Sequence, residues 1–330
     1  MPKIPQVRIA NHIISDKSKI EYSVVIPVFN EEQNISLLDS EIKSVMDKLL
    51  GKYEIIYVND GSNDSSLEQL KRLKDIKIIT LNRNYGQATA LDAGFKESSG
   101  KIVISLDADL QNDPRDIPRL IAKLKDRNLD VVAGWRRVRN DKAGIRALTN
   151  TGRFLRRFLI NDPVHDTGCT LRVYRKEAVK SLDLQGEMHR YILALLRWKG
   201  FRIGELEVNH RPRYSGKTKY GYDKAVRGFI DLIYIWFIEK YSQRPLHMFG
   251  RLGIGSFFLG VLAEAWSLYT RLFQGLSLNR NGWFFLGFFL ILAGIMFFSF
   301  GITLDLLMKI YLNTSQNEKR YYIKESINTQ

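Results

Sequence analysis

Ile102-Val103-Ile104-Ser105-Leu106-Asp107-Ala108-Asp109-Leu110-Gln111-Asn112-Asp113-Pro114 begins as an apolar, largely β-branched strand and ends at a helix start. Between the two come a pair of carboxylates one small residue apart and a side-chain amide two positions further on. Asp107 and Asp109 offer hard oxygen ligands and Gln111 a neutral one, a set that suits Mg²⁺ or Mn²⁺ with positions left open for phosphate oxygens. Asp113 reads as an N-cap with Pro114 at the first helical position, so the acidic loop is pinned at both ends. A lone D-x-D is as often a solvated strand end, and the segments around this one decide between the readings.

On the N-terminal side, Tyr22–Val28 is a compact apolar strand ending at Pro27-Val28-Phe29-Asn30-Glu31-Glu32, with a helical pattern to about Leu50. Tyr53–Val58 is a second strand, closed by Asn59-Asp60-Gly61-Ser62. Ile76–Leu81 is a third, followed by Asn82-Arg83-Asn84-Tyr85-Gly86 and a helix through Phe95. The D-A-D strand is then the fourth and Asp130–Gly134 the fifth. Strands alternating with helices imply an α/β fold, a mostly parallel sheet with helices on both faces. Ligands of such sheets sit beyond the carboxyl ends of the strands, where the polar motifs of this chain fall. There is no G-x-G-x-x-G after the first strand and no G-x-x-x-x-G-K-[ST], which removes support for dinucleotide and P-loop sites.

On the C-terminal side, residues 136–157 carry Arg136, Arg137, Arg139, Lys142, Arg146, Arg153, Arg156 and Arg157 against Asp141 alone. Apolar residues recur among them at helical spacing, as in a basic amphipathic helix on anionic lipid. Asp166-Thr167-Gly168-Cys169-Thr170-Leu171-Arg172 follows, then a strand, two helices and Arg202–Val208. His210-Arg211-Pro212-Arg213-Tyr214-Ser215-Gly216-Lys217-Thr218-Lys219-Tyr220 has the makings of a flexible phosphate clamp. Asp223–Tyr241, aromatic and interrupted by charge, reads as an interfacial helix. Leu252–Thr270 is apolar except for Glu264, and Trp283–Leu304 has no charge over 22 residues, about 33 Å at ~1.5 Å per residue. Both read as transmembrane helices, and Glu264 should be protonated, paired or facing protein.

The whole chain of 330 residues has 50 Lys and Arg against 35 Asp and Glu, a net charge of +15. Nucleic acid, anionic membrane and phosphorylated substrates all fit that balance, but no basic groove interleaved with stacking aromatics is evident. The single Cys169 excludes a disulfide framework, and the histidines lack zinc spacing. No signal peptide opens the sequence, so the N-terminus is expected in the cytosol. The expected organisation is an N-terminal arm (1–20), a catalytic domain (21–222), a juxtamembrane amphipathic helix (223–246), a transmembrane hairpin (247–312) and a cytosolic tail (313–330).

In this order the motifs resemble those of a glycosyltransferase family 2 enzyme with a GT-A, Rossmann-like fold, of the polyprenyl-phosphate sugar synthase type typified by dolichyl-phosphate mannose synthase. The resemblance runs over residues 22–220. It implies that Pro27, Phe29 and Glu31 contact the nucleotide, with Val58 and Ala108 beside it, and that Asp60 accepts a hydrogen bond from the base. Asp107, Asp109 and Gln111 then match the D-x-D-x-Q metal and diphosphate site for Mg²⁺ or Mn²⁺. Arg213, Gly216, Thr218 and Lys219 match the loop that closes on phosphates. Asp107, Asp109, Arg213 and Lys219 become the catalytic candidates, and Arg136, Arg137, Arg153, Arg213 and Lys219 the cations for an acceptor phosphate.

Two departures stand out: Phe29 replaces a frequent Tyr, and Asn59 a frequent second Asp. Ala194-Leu195-Leu196-Arg197-Trp198 lacks the Gln of the Q-x-x-R-W of processive synthases. The implied activity is inverting transfer of a hexose from UDP-glucose or GDP-mannose to polyprenyl (dolichyl or undecaprenyl) phosphate. Its partners are nucleotide sugar, polyprenyl phosphate and membrane lipid, with no nucleic acid; a homo-oligomer is left open. Asp166 is a turn cap first and an acceptor-orienting residue second. The alternatives are another lipid or polysaccharide acceptor, or a non-catalytic membrane scaffold.

Overall fold

The computed structural model describes residues 20–137, 164–184, 186, 188–212, 244–314 and 323–329, with isolated positions between 233 and 241. Arg153, Arg213, Gly216, Thr218, Lys219, most of the 136–157 basic stretch and most of the 223–241 segment lie outside them. The chain forms two compact units, Met1–Ala225 with Tyr321–Gln330, and Val226–Arg320.

The first unit is built on β1 (Ile20–Val28), α1 (Ile35–Met46), β2 (Lys52–Asn59), α2 (Ser66–Lys71), β3 (Lys77–Leu81), α3 (Gln87–Glu97), β4 (Ile102–Ser105), α4 (Ile117–Asp126), β5 (Val131–Trp135), β6 (Arg172–Arg175), α5 (Lys176–Lys180), α6 (Ile192–Trp198) and β7 (Ile203–Glu207). An eighth strand, β8 (Ile323–Asn328), joins from the far end of the chain. The sheet order is β7-β5-β6-β4-β1-β2-β3-β8. Strands β4, β1, β2 and β3 are parallel, as are β5 and β7, whereas β6 and β8 run antiparallel to their neighbours.

Two apolar layers flank the sheet because successive strand side chains point to opposite faces. Val24, Ile26 and Val28 of β1 pack with Ile35, Leu38 and Ile42 of α1 and with Ile117, Leu120, Ile121 and Leu124 of α4. Val25 points the other way, onto Ala90, Ala93 and Phe95 of α3 and Ile192 and Leu196 of α6. The four buried residues of α4 fall at i, i+3, i+4 and i+7, one stripe of an amphipathic helix. Asp113 caps the start of this segment, its side chain accepting from the Arg115 amide at 3.1 Å, with Pro114 in the first turn.

Strand β8 lies where the sequence reading had only a polar tail. Its Ile327 pairs with Ile78 and packs onto the core. Beyond it the Thr329 amide donates to Ile76 O at 3.0 Å and the Ile76 amide donates to Thr329 Oγ1 at 3.1 Å.

The second unit is a hairpin of α7 (Pro245–Gln274) and α8 (Gly282–Thr314), both long and apolar enough to cross a membrane. Pro245 occupies the first turn of α7, where its missing amide costs nothing, so it starts this helix. Large apolar side chains such as Phe258, Leu262, Phe289 and Phe298 stay exposed, while glycines fill the seam between the helices. A Cβ on Gly260 would come within 2.8 Å of Gly287 O, and one on Gly294 within 2.7 Å of Gly253 O. Near the turn, Asn281 Nδ2 donates to Ser267 Oγ at 3.0 Å and to Thr270 Oγ1 at 2.8 Å. Glu264 lies half-buried on the seam side, its Oε1 2.9 Å from where a Cβ on Gly287 would stand.

Candidate active site

At the carboxyl ends of β1, β2 and β4, a cleft of ≈ 290 Å³ is lined by Pro27, Phe29, Glu31, Asp60, Gly86, Gln87, Asp107, Ala108 and Asp109, among others. Three segments far apart in sequence are stitched together there by backbone amides and short polar side chains. Asn30 adopts φ 57, outside the range most side chains favour, and its Oδ1 accepts from the Asn63 amide at 2.8 Å. The Glu31 amide donates to Ser66 Oγ at 2.9 Å, and the Asp60 amide to Val28 O at 2.9 Å. Gly61 has φ +64, and any Cβ there would lie 2.5 Å from the Arg83 backbone, so the β2 loop can pass this close to the β3 loop only with glycine.

Asp60 is buried and anchors the β3 loop: its Oδ1 accepts from the Tyr85 amide at 2.7 Å and its Oδ2 from the Gly86 amide at 2.8 Å. Burial raises its pKa above the usual carboxylate value, and those two hydrogen bonds oppose the rise. Asp107 accepts from Gln87 Nε2 at 2.6 Å. Burial, followed by the charge of Asp109, pushes the Asp107 carboxyl up to about 7, while Thr170, Arg172 and Arg136 pull it back. Asp109 Oδ1 accepts from the Gln111 amide at 3.2 Å, across Leu110 at φ 62. Strained non-glycine backbone thus occurs at two of the three loops, as is common where a site must be pre-shaped.

The acidic pair fits a divalent cation. Two hard donors sit side by side at a strand end, and their mutual repulsion is of the kind a bound cation relieves. Among the described residues no group of three or more His, Cys, Asp and Glu side chains could hold an ion. Asp107, Asp109 and Gln111 would therefore need oxygens of a bound diphosphate to complete the shell.

The structure brings Pro27, Phe29, Glu31, Asp60, Asp107, Ala108 and Asp109 into one cleft. It places others of the sequence candidates differently. Val58 is fully buried on the α3 side of the sheet, because it is an interior residue of β2. Arg136 is engaged bidentately by Asp166, Nε donating to Oδ2 at 2.6 Å and Nη2 to Oδ1 at 2.9 Å. Its charge is thus matched within the protein rather than held out for an acceptor. Asp166 also accepts from the Gly168 amide at 3.1 Å, so it is both a turn cap and an ion-pair partner. Arg137 is exposed, its Nη1 3.6 Å from Glu207.

Gln87 and Thr170 were not singled out by sequence reasoning, which read Arg211 only as one cation of the clamp segment. The Arg211 amide donates to Gln111 O at 2.9 Å, and its guanidinium meets Glu41 at 2.8 Å and Asp113 at 2.8 Å. With the Asn112–His210 bridge, this ties the segment before Arg213 to the D-A-D-L-Q loop. The one signal for Gln87 was its place directly after Asn82-Arg83-Asn84-Tyr85-Gly86.

A mixed, mostly parallel sheet with an acidic pair and a cleft at its strand ends is the arrangement of the GT-A fold. The chain belongs to Glycosyl transferase family 2, whose sequence profile matches residues 23–183, and is a glycosyltransferase. It is 33% identical over 300 residues to the dodecaprenyl-phosphate galacturonate synthase of Rhizobium johnstonii, covering 88% of this chain and 89% of that protein. It is 32% identical over 309 residues to the undecaprenyl-phosphate 4-deoxy-4-formamido-L-arabinose transferase of Shewanella sediminis, covering 92% and 91%. In fold it is similar to glucosyl-3-phosphoglycerate synthase from Mycobacterium tuberculosis, solved with Mn²⁺, UDP and glucosyl-3-phosphoglycerate. That likeness has a TM-score of 0.53 and 19% identity over 68% of this chain and 81% of that one.

Proposed function

We propose that this chain transfers a sugar from a nucleoside diphosphate sugar to the phosphate of a membrane polyprenol, inverting the anomeric centre. The observation that carries the reading is the paired carboxylates Asp107 and Asp109 in a cleft at the strand ends. Relatives named for dodecaprenyl and undecaprenyl phosphate support the acceptor. UDP-glucose and GDP-mannose stay in the donor panel, joined by donors of the uronic acid and amino-sugar kinds that those relatives' names carry.

In this reading Phe29 and Glu31 flank the nucleotide, and each Asp60 oxygen keeps a second lone pair that can accept from a base N–H. The positive end of α3 walls the cleft at Gly86 and Gln87, a favourable setting for a diphosphate. Asp107, Asp109 and Gln111 hold Mg²⁺ or Mn²⁺, which when bound neutralises charge on the leaving diphosphate. The acceptor phosphate is already anionic near neutral pH, with a second pKa of about 6, so no side chain has to act as a strong base. What remains is to bring two anions together, the task assigned to Arg137, Arg153, Arg213 and Lys219. Arg136 serves it indirectly by fixing Asp166.

Residues before and after the hairpin share one sheet, through β8 on β3. If both long helices span the bilayer, the two ends of the hairpin must then emerge on the same side, which supports the catalytic unit and the C-terminal strand lying together on one side of the membrane. The test is to incubate membranes containing the enzyme with Mn²⁺, polyprenyl phosphate and a panel of labelled nucleotide sugars. One donor should give a lipid-linked sugar, and Asp109→Ala should reduce its formation about a thousandfold, or about 4 kcal/mol of barrier. No lipid-linked product from any donor, or undiminished product in Asp109→Ala, would overturn the proposal.

A further inference from the structure

Three consecutive residues join the two acidic strand ends of the cleft. Asp60 follows β2, Asp107 follows β4, and β1 lies between those strands. The Tyr85 and Gly86 amides donate to Asp60, and the very next side chain, Gln87, donates through Nε2 to Asp107 Oδ1 at 2.6 Å. Asp60, Gly86, Gln87 and Asp107 all line the cleft. Residues 85–87 therefore bridge the carboxyl end of β1, with one carboxylate holding the loop and the loop in turn holding the other.

We propose that Gln87 is a positioning residue for the acidic pair, fixing the Asp107 carboxylate in the orientation in which it and Asp109 meet a divalent cation bound with a nucleoside diphosphate. This rests on the functional reading above. A carboxylate turns easily about its terminal torsion, so Asp107 needs a fixed hydrogen-bond donor to keep one orientation. Gln87 gives it one, at 2.6 Å.

The amide is also the side chain the electrostatics call for. A lysine at position 87 would neutralise Asp107 and repel the cation, and a glutamate would repel Asp107 itself. An amide N–H orients the carboxylate and leaves its charge available. Gln87 can do this because it is the first residue of α3, and the preceding amide is locked by Asp60.

The experiment uses the full-length enzyme in detergent with Gln87→Met, which keeps the side-chain volume and removes the donor. Mn²⁺ binding is titrated in the presence of UDP or GDP, whichever the wild type binds, and read by the electron paramagnetic resonance of free Mn²⁺. The Mn²⁺ dissociation constant should rise about tenfold, the scale seen when a hydrogen-bond partner of a metal ligand is removed. At saturating Mn²⁺, kcat should fall about tenfold while KM for the nucleotide sugar stays within about twofold. Gln87→Ala, which suits a helix start, should behave in the same way. Mn²⁺ affinity and kcat within twofold of wild type in both variants would overturn the proposal. So would a lowered melting temperature with unchanged Mn²⁺ affinity, which would assign Gln87 to the fold. A wild type that binds no Mn²⁺ with either nucleotide and transfers no sugar would instead remove the functional reading beneath it.

Discussion

The cleft and the helical hairpin solve the same problem, satisfying backbone and packing side chains, by opposite means. At the cleft and in the loops beyond it, irregular backbone leaves amides without helix or strand partners, and carboxylates take them up: Asp60 in the cleft holds Tyr85 and Gly86, and outside it Asp113 holds Arg115 and Asp166 holds Gly168. Charge is therefore concentrated there, and each charge is answered by a donor. In the hairpin every backbone group of the helix interior is satisfied within its own helix, as lipid requires. Closeness at the contact comes from removing side chains at Gly253, Gly260, Gly287 and Gly294, with the Glu264 carboxylate on the seam side beside Gly287. The cleft is thus sensitive to charge and pH, and the hairpin to volume.

That contrast can be broken in order of expected effect. Asp166→Ala leaves Arg136, with its side chain only 15% exposed, without its bidentate partner. Stability should fall by about 3 kcal/mol in a denaturant titration, and Arg136→Met/Asp166→Val should recover most of it. A single-variant loss no larger than that of the double variant would show that the pair is not what holds this end of the sheet.

Gly260→Ala adds one methyl group 2.7 Å from Ile291 Cγ1 and 2.8 Å from Gly287 O, so the helices must separate. We expect a cost of about 2 kcal/mol in detergent unfolding. Gly255→Ala, with nothing within 4 Å of the new carbon, should cost nothing. Equal behaviour of the two would mean that the glycine seam does not set the packing.

The third prediction separates the regions by pH. His189 has its pKa lowered to about 3, first by burial and then by the charges of Arg190 and Arg172, and its Nδ1 has no hydrogen-bond partner. Its folded-state pKa lies below the unfolded value of about 6.5, so the unfolded chain binds the extra proton. The contribution to stability is complete above pH 6.5 and is lost as pH falls toward 3. The slope approaches about 1.4 kcal/mol per pH unit. His189→Phe should flatten the wild-type profile between pH 6 and 4. Parallel profiles for the two proteins would show that the imidazole titrates alike in the folded and unfolded chain.

Local chemistry made much of this legible beforehand. Apolar runs ending in polar motifs placed β1 to β5, since burial on both faces leaves a continuous hydrophobic strand. Length and lack of charge placed the two long helices, though both run further than the stretches Leu252–Thr270 and Trp283–Leu304 read from the sequence. Residues such as Arg153, Arg213 and Lys219 lie outside the described residues and remain proposals. Strand β8 was not legible: Ile323-Lys324-Glu325-Ser326-Ile327-Asn328 is an edge strand with one partner, and edge strands carry polar side chains that hide their period.

The sequence by itself determined strands β1 to β5, which helices could span a bilayer, and that Asp107 and Asp109 fall at a strand end, because periodicity and turn chemistry act between neighbours. Only the tertiary structure decided that Arg136 belongs to Asp166, that Gln87 holds Asp107, and that Thr329 closes on Ile76, 253 positions away. Such pairings depend on strand order and register, which arise when the two apolar layers close on the sheet. No local pattern records which distant partner that closure will bring.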